Sequence, residues 1–342
     1  MRHLIELQKR LYPEVLAVMQ QRYAVLHNIA RFQPIGRRAL ADNSNLTERT
    51  IRSEVDFLQE QGLIHVTAKG MLIANEGKII LEQLAELMGE VMGLSVLENK
   101  IKDKLKLSNV IIIPGNSDEN AWVKQEMGKA CVAYLKSIVN PNSTIAVTGG
   151  TTMAAIAAVM TPFDKQGNLL FVPARGGIGE KMENQANTIV SEMAKKANGN
   201  YRLLYVPDLL SDASYQSIIS EPSIDEILKQ IKQADIVLHG VGNALKMAYR
   251  RKTASEVITL LQETNAVSEA FGYYFDQAGQ IVHKVNTVGI HLEDLDAAKT
   301  VITVAGGKSK GQAISSYFQR GKSDLLITDE AAAEEILRDL SL

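Results

Sequence analysis

Apolar residues recur at three- and four-residue steps through the first part of the chain: Leu4, Leu7, Leu11, Val15, Val18, Met19, Leu26 and Ile29. That period predicts two helices, with Pro13 breaking or kinking the run and the second helix covering about residues 17–32. After Pro34-Ile35-Gly36, Leu40 and Ala41 mark a short helix, Asn43 to Asn45 a turn, and Ile51, Val55 and Leu58 the inner face of a helix that Thr47 can cap and Gly62 can close. Leu63-Ile64 then enters a hairpin turning at Lys69-Gly70. Helix, turn, helix and hairpin in this order make a winged helix-turn-helix. From Lys78 to Leu107 the pattern stays helical, and Ile80, Leu84, Leu87, Val91 and Leu94 follow one another at 4-3-4-3 spacing. Such a seam can pair two chains or pack on the next domain, and Gly89 and Gly93 weaken it as a free coiled coil.

Beyond Asn109 the rhythm changes. Short β-branched runs (VIIIP, TIAV, LLFVP, LLYVP, DIVLH, VITV, DLLIT) alternate with helical stretches, and EAFGYYFDQAGQIVHKV reads as a hairpin. Alternation of this kind predicts a doubly wound, mostly parallel α/β sheet covered by helices on both faces. The expected division is a winged helix-turn-helix over 1–77, a helical linker over 78–107 and an α/β domain over 108–342.

Four strands end in glycine corners: Gly149-Gly150, Gly176-Gly177, Gly240 with Gly242, and Gly306-Gly307. The carboxyl ends of parallel strands share one edge of the sheet, where α/β folds place ligands, so the corners are expected to converge. In VTGGTT the glycines allow close backbone approach, and the N–H groups of Thr151 and Thr152 open a helix, an arrangement that suits phosphate. Neither the P-loop nor the dinucleotide spacing is present. Arg175, Gln185, Arg250, Arg251, Lys308 and Lys310 surround these corners and call for an anion. Two cationic poles suit two phosphates, with Glu269 accepting hydrogen bonds from sugar hydroxyls between them.

The chain carries a net charge of −2, but residues 1–80 are net +3 and the remainder net −5. A small basic module on an acidic body fits nucleic-acid binding. On the second helix of the helix-turn-helix, Thr47, Arg49, Arg52 and Ser53 would face a major groove, flanked by Arg37, Arg38 and Lys69. A single cysteine, Cys131, and six scattered histidines give no disulfide framework and no metal-ligand spacing, so no metal or cofactor is expected. With no secretory leader pattern and no membrane-length apolar run, a cytoplasmic location is expected. His239 and Glu269 are the only obvious acid/base candidates, and no pair of them is set in one motif. Binding rather than turnover is therefore the primary reading. A sugar-phosphate isomerase or deaminase with an accessory DNA-binding head is the alternative, and a nucleotide sensor a third.

The motifs VTGGTT, FVPARGG, NQANT, EAFGYYF, VHKV and VAGG behind a helix-turn-helix resemble the sorbitol-operon (SorC) regulator family over nearly the whole chain. The resemblance implies a repressor, here of glycolytic genes, whose effector domain is similar to sugar-phosphate isomerases and deaminases. It implies a homo-oligomer, dimer or tetramer, on double-stranded operator DNA and an inducing sugar phosphate, fructose-1,6-bisphosphate. Carried onto this chain, the effector contacts implied are Gly149, Gly150, Thr151, Thr152, Arg175, Gln185, Arg250, Arg251, Glu269 and Lys310. One departure is local: where wider members show Gln-x-Glu-Ile-Ala, this chain reads Arg37-Arg38-Ala39-Leu40-Ala41 after an N-terminal extension.

Overall fold

A computed structural model of the chain describes residues 11–338, apart from 45, 92, 164–166, 178–180, 208–209 and 211. They fall into two compact units, Met1–Ser95 and Val96–Leu342.

In the first unit, α1 (Pro13–Phe32) is one continuous helix. Pro13 occupies its first turn, where the missing N–H costs nothing, so it starts the helix instead of kinking it. The expected helix ahead of it falls mainly on residues 1–10, outside the described residues. Next come α2 (Arg37–Ser44), α3 (Glu48–Glu60), β1 (Ile64–Thr67), β2 (Gly70–Ile73) and α4 (Asn75–Val91). Leu40, Ile51, Val55, Leu58 and Ile64 are sealed in one core with Val25 and Ile29 of α1. The Thr47 hydroxyl accepts the Thr50 N–H at 3.2 Å and caps α3, and Gly62 follows the helix end at φ +70°. Buried Glu54 accepts from Gln21 Nε2 (2.9 Å) and Arg22 Nε (3.0 Å), which ties α3 to α1.

The 78–107 segment is two helices, because Gly93 turns the chain at φ +77° before α5 (Leu94–Leu105). Its apolar seam is put to a use not anticipated from the pattern: Leu87 and Val91 pack with Leu16 and Met19 of α1, and Ile80 packs on the helix-turn-helix core.

The second unit holds β3 (Asn109–Ile113), α6 (Ala121–Ile138), β4 (Thr144–Val147), α7 (Thr151–Val159), β5 (Leu170–Pro173), α8 (Ala186–Ala197), β6 (Asn200–Tyr201), α9 (Asp212–Ile219) and α10 (Pro222–Lys232). It continues with β7 (Ile236–His239), β8 (Gly242–Asn243), α11 (Ala244–Arg250), α12 (Ser255–Glu263), β9 (Ser268–Ala270), β10 (Tyr273–Phe275) and β11 (Ile281–Lys284). β12 (Thr300–Val304), a 3-10 turn Lys308–Lys310, α13 (Gly311–Tyr317), β13 (Leu325–Asp329) and α14 (Glu330–Arg338) complete it. Seven strands form a parallel sheet in the order β3-β13-β12-β7-β4-β5-β6. Ile145, Val147, Phe171, Leu238, Val304 and Ile327 pack on α6, α7 and α8 from one face. The alternate positions Ala146, Val172, Val237 and Leu326 are buried too, so both faces are covered.

β8 to β11 form a separate antiparallel sheet in the order β11-β10-β9-β8. Two details depart from the pattern reading. Residues 203–207 (LLYVP) are not a strand: the edge pairing with β5 is made by Asn200 and Tyr201, and Pro207 can donate nothing to a ladder. The helices α9 and α11 are too short for their periodicity to show.

Candidate effector and DNA sites

The chain leaves β4 toward one edge of the sheet through β5 and β6, then returns to β7 on the other side of β4. The strand order therefore reverses at the β4–β7 seam, and a cavity opens at the carboxyl ends of those two strands. Nine of the ten expected effector contacts line it: Gly149, Gly150, Thr151, Thr152, Arg175, Gln185, Arg250, Glu269 and Lys310. Met153, His239, Met247, Ala270 and Phe271 line it as well.

The first wall is the start of α7. Gly150 is its N-cap at φ +113°, and no side chain caps the helix. A Cβ at Gly149 would come within 2.7 Å of the Asn184 carbonyl oxygen, the same oxygen that accepts the Gly150 N–H at 2.9 Å. The glycine pair thus lets the loop lie against residues 182–185 while the first-turn N–H groups of α7 point into the cavity, a ready anion site.

The opposite wall is charged. Glu269, in the middle of β9, is 4% exposed. Its Oε1 accepts from Arg251 Nη2 at 2.8 Å, Arg175 Nη1 at 3.3 Å and the Gly272 N–H at 2.8 Å, while Oε2 lies on the Gly242 side. Burial would raise this carboxyl, but the guanidiniums of Arg251 and Arg175 and the Gly272 N–H outweigh it and hold Glu269 below the usual carboxylate range. Glu269 is thus the centre of a buried ion-pair cluster on an inner strand of the small sheet.

Arg251 is the exception among the expected contacts. Its side chain is fully enclosed between Glu269 and the Tyr274 hydroxyl (3.0 Å) and does not reach the cavity. Arg250, one residue earlier on α11, does. Successive helical residues point about 100° apart, so one arginine faces the ligand side and the next faces the core.

The Gly306-Gly307 corner is also not an anion cradle. Asp329 Oδ2 takes the Gly307 N–H at 2.7 Å, and Asp118 Oδ2 takes the Ser309 N–H at 2.7 Å, so only Lys310 reaches the cavity from this side. Burial and the neighbouring Lys124 lower the Lys310 ammonium to about 8.

His239 offers no poised acid or base. Its Nδ1 lies 3.1 Å from the Gly240 carbonyl and its Nε2 2.9 Å from Thr303 Oγ1, and burial pushes it down to about 4, so the ring is neutral near pH 7. Phe271 packs 4.7 Å from it in a two-residue hairpin with Gly272, at φ +53°. A bulky residue in the left-handed region is a local signature of a constrained site that composition alone does not show.

In the first unit, Arg37, Arg38, Thr47, Arg49, Arg52, Ser53 and Lys69 are all exposed. The Thr47 hydroxyl is committed to its cap and to Thr50 Oγ1 at 2.8 Å, and Arg37 leans on Asp56 at 3.7 Å. Thr67 Oγ1 donates to the Gly70 carbonyl and accepts the Lys69 N–H, pinning the hairpin turn that presents Lys69. The turn residues are Ala68 and Lys69, since Gly70 already pairs with Thr67.

A helix-turn-helix unit followed by an α/β unit with an anion-ready cavity has the build of a transcription regulator with a DNA-binding and a ligand-binding unit. Comparison with known families agrees: residues 18–88 match the "CggR N-terminal DNA binding domain" and residues 89–338 the "Putative sugar-binding domain". The chain belongs to the SorC regulator family and, within it, to the central glycolytic genes regulators. It is 53% identical to the central glycolytic genes regulator of Priestia megaterium over the full length of both chains. Against that of Bacillus subtilis it is 49% identical, over 99% of this chain and 100% of the relative. A SorC family transcriptional regulator structure from Enterococcus faecalis superposes with a TM-score of 0.67 at 43% identity, covering 70% of this chain and 99% of that one. The chain is a regulator, not an enzyme. Among the described residues no helix is long and apolar enough to cross a membrane, and no group of side chains could hold a metal ion.

Proposed function

We propose that the chain is a cytoplasmic repressor of glycolytic genes that binds operator DNA as a homo-oligomer, dimer or tetramer, and responds to a phosphorylated sugar, with fructose-1,6-bisphosphate the preferred inducer. Residues 1–77 bind DNA, the first helix of the 78–107 segment braces that unit by packing on α1, and 108–342 bind the effector and carry the oligomer contacts. The observation that carries this reading is the uncapped start of α7 facing Arg175, Arg250 and Lys310 across one cavity. One pole takes a phosphate on backbone N–H groups and the Thr151 and Thr152 hydroxyls, and the other takes a second phosphate on guanidiniums. Gly149, Gly150 and Gln185 shape the cavity, and Glu269 Oε2 accepts from a sugar hydroxyl. The names of the relatives support the glycolytic assignment.

Calorimetric titration with fructose-1,6-bisphosphate, fructose-6-phosphate and nucleotides tests the ligand. Gel-shift titration on an operator selected from random duplexes tests the response. The bisphosphate binds tightest and releases or reorganises the DNA complex. Thr152→Ala weakens it by about 1–2 kcal/mol without changing operator affinity in its absence. Binding of nucleotides in preference to sugar phosphates, or an operator complex indifferent to every sugar phosphate, overturns the reading.

A further inference from the structure

The loop between β3 and α6 is latched to the turn after β12 by side chains that the effector reading leaves unused. Asn116 Oδ1 accepts the Lys308 N–H at 3.3 Å and the Asp118 N–H at 3.1 Å. Asp118 accepts the Ser309 N–H at 2.7 Å on Oδ2 and the Ser309 hydroxyl at 3.0 Å on Oδ1. Asp329 Oδ2 accepts from both Gly307 and Ser117 at 2.7 Å. Three consecutive N–H groups, 307 to 309, are therefore held from outside their own segment. Gly307 makes the approach possible: a Cβ there would overlap the Asp118 carboxylate, and φ is +100°. Asp118 does not line the cavity, but Lys310, the residue after the latched Ser309, does.

We propose that Asp118 is a positioning residue for effector binding: by gripping Ser309 it fixes the backbone turn that delivers the Lys310 ammonium into the cavity. This rests on the cavity being the sugar-phosphate site. An amine on four flexible carbons is otherwise free to sample many directions, and a fixed turn removes part of that freedom before the ligand arrives.

The surrounding charges give the idea a readout that a purely structural latch would not move. Lys124 on α6 and Arg250 on α11 add to burial in lowering the Lys310 ammonium, while Asp118 and Asp329 oppose them. On α14, which follows Asp329, Glu330 Oε2 accepts the Gly115 N–H and Glu335 pairs with Arg338. Asp118 thus both aims Lys310 and helps keep it charged.

The test uses the full chain with fructose-1,6-bisphosphate and, separately, ligand-free acylation of Lys310 followed across pH by peptide mass spectrometry. Asp118→Ala lowers bisphosphate affinity about tenfold, and lowers it no further in a Lys310→Ala background. Asp118→Asn can still accept the Ser309 N–H, so it keeps most of the affinity at pH 7. It loses the charge, so both the alkaline limb of binding and the midpoint of Lys310 acylation move to lower pH. Asp118→Ala and Lys310→Ala effects that multiply independently overturn the proposal. So does an acylation profile unchanged in both folded Asp118 variants. Should the native chain bind no phosphorylated sugar, the cavity reading fails, and the acylation profile still decides whether Asp118 helps keep Lys310 charged.

Discussion

Arg251 and Glu269 face each other at 2.8 Å with both side chains withdrawn from solvent, and of the two only Glu269 lines the cavity at the carboxyl ends of β4 and β7. Glu269 also receives Arg175 and the Gly272 N–H, so one carboxylate fixes a cavity-lining arginine, a core arginine and a hairpin tip.

Removing Arg251 leaves a buried carboxylate half neutralised. Arg251→Ala therefore destabilises the effector unit by roughly 3–5 kcal/mol. Arg250→Ala, on the cavity side, costs less stability than Arg251→Ala and lowers bisphosphate affinity by about tenfold, near 1.4 kcal/mol. Denaturant unfolding and calorimetry on the two variants check this division, and equal stability losses would refute it.

With Lys310 lowered to about 8, binding of a phosphorylated ligand in this cavity should show an alkaline limb. Its charge is complete well below that value and is lost as pH rises through it. A phosphate dianion favours the charged amine, so binding near pH 8 to 9 takes up a proton, and affinity falls as pH rises further. Titration in buffers of different ionisation enthalpy reads the uptake. Lys310→Arg stays charged and should flatten the limb; an unchanged limb in that variant places its origin elsewhere.

On the DNA side, Arg49 and Arg52 stand exposed on α3 and Lys69 on the hairpin turn. Arg49→Ala should relax sequence preference, whereas Lys69→Ala should weaken all sequences alike and lower the salt slope by roughly one. Competition gel shifts at several salt concentrations separate these outcomes. Uniform loss for every variant would mean that α3 is not the reading helix.

Much of this was legible in the chain because it rests on local rules. The Gly149-Gly150 corner announces a backbone requirement, and the cap at Thr47 and the inward faces of α2 and α3 follow from period and side-chain chemistry. What was not legible depends on partners distant in sequence. Arg250 and Arg251 look equivalent until helix geometry turns one toward the cavity and the next into the core. The Gly306-Gly307 corner resembles the others, yet Asp118, some two hundred positions earlier in the chain, already fills its neighbourhood. The heptad-like seam suits pairing two chains or packing on the next domain equally well, because nothing in its spacing says that α1 supplies its partner.

The position of the cavity over the β4–β7 seam has a mechanical side. From that seam the chain runs outward through β5 and β6 on one flank, and through β12 and β13 on the other. The two flanks meet along a short ladder from Ile145 beside Ile236 to Val147 beside Leu238, continued by the Thr148 N–H on the Leu238 carbonyl at 3.0 Å. A molecule gripping Thr152 on one flank and Lys310 on the other acts as a rivet through this joint.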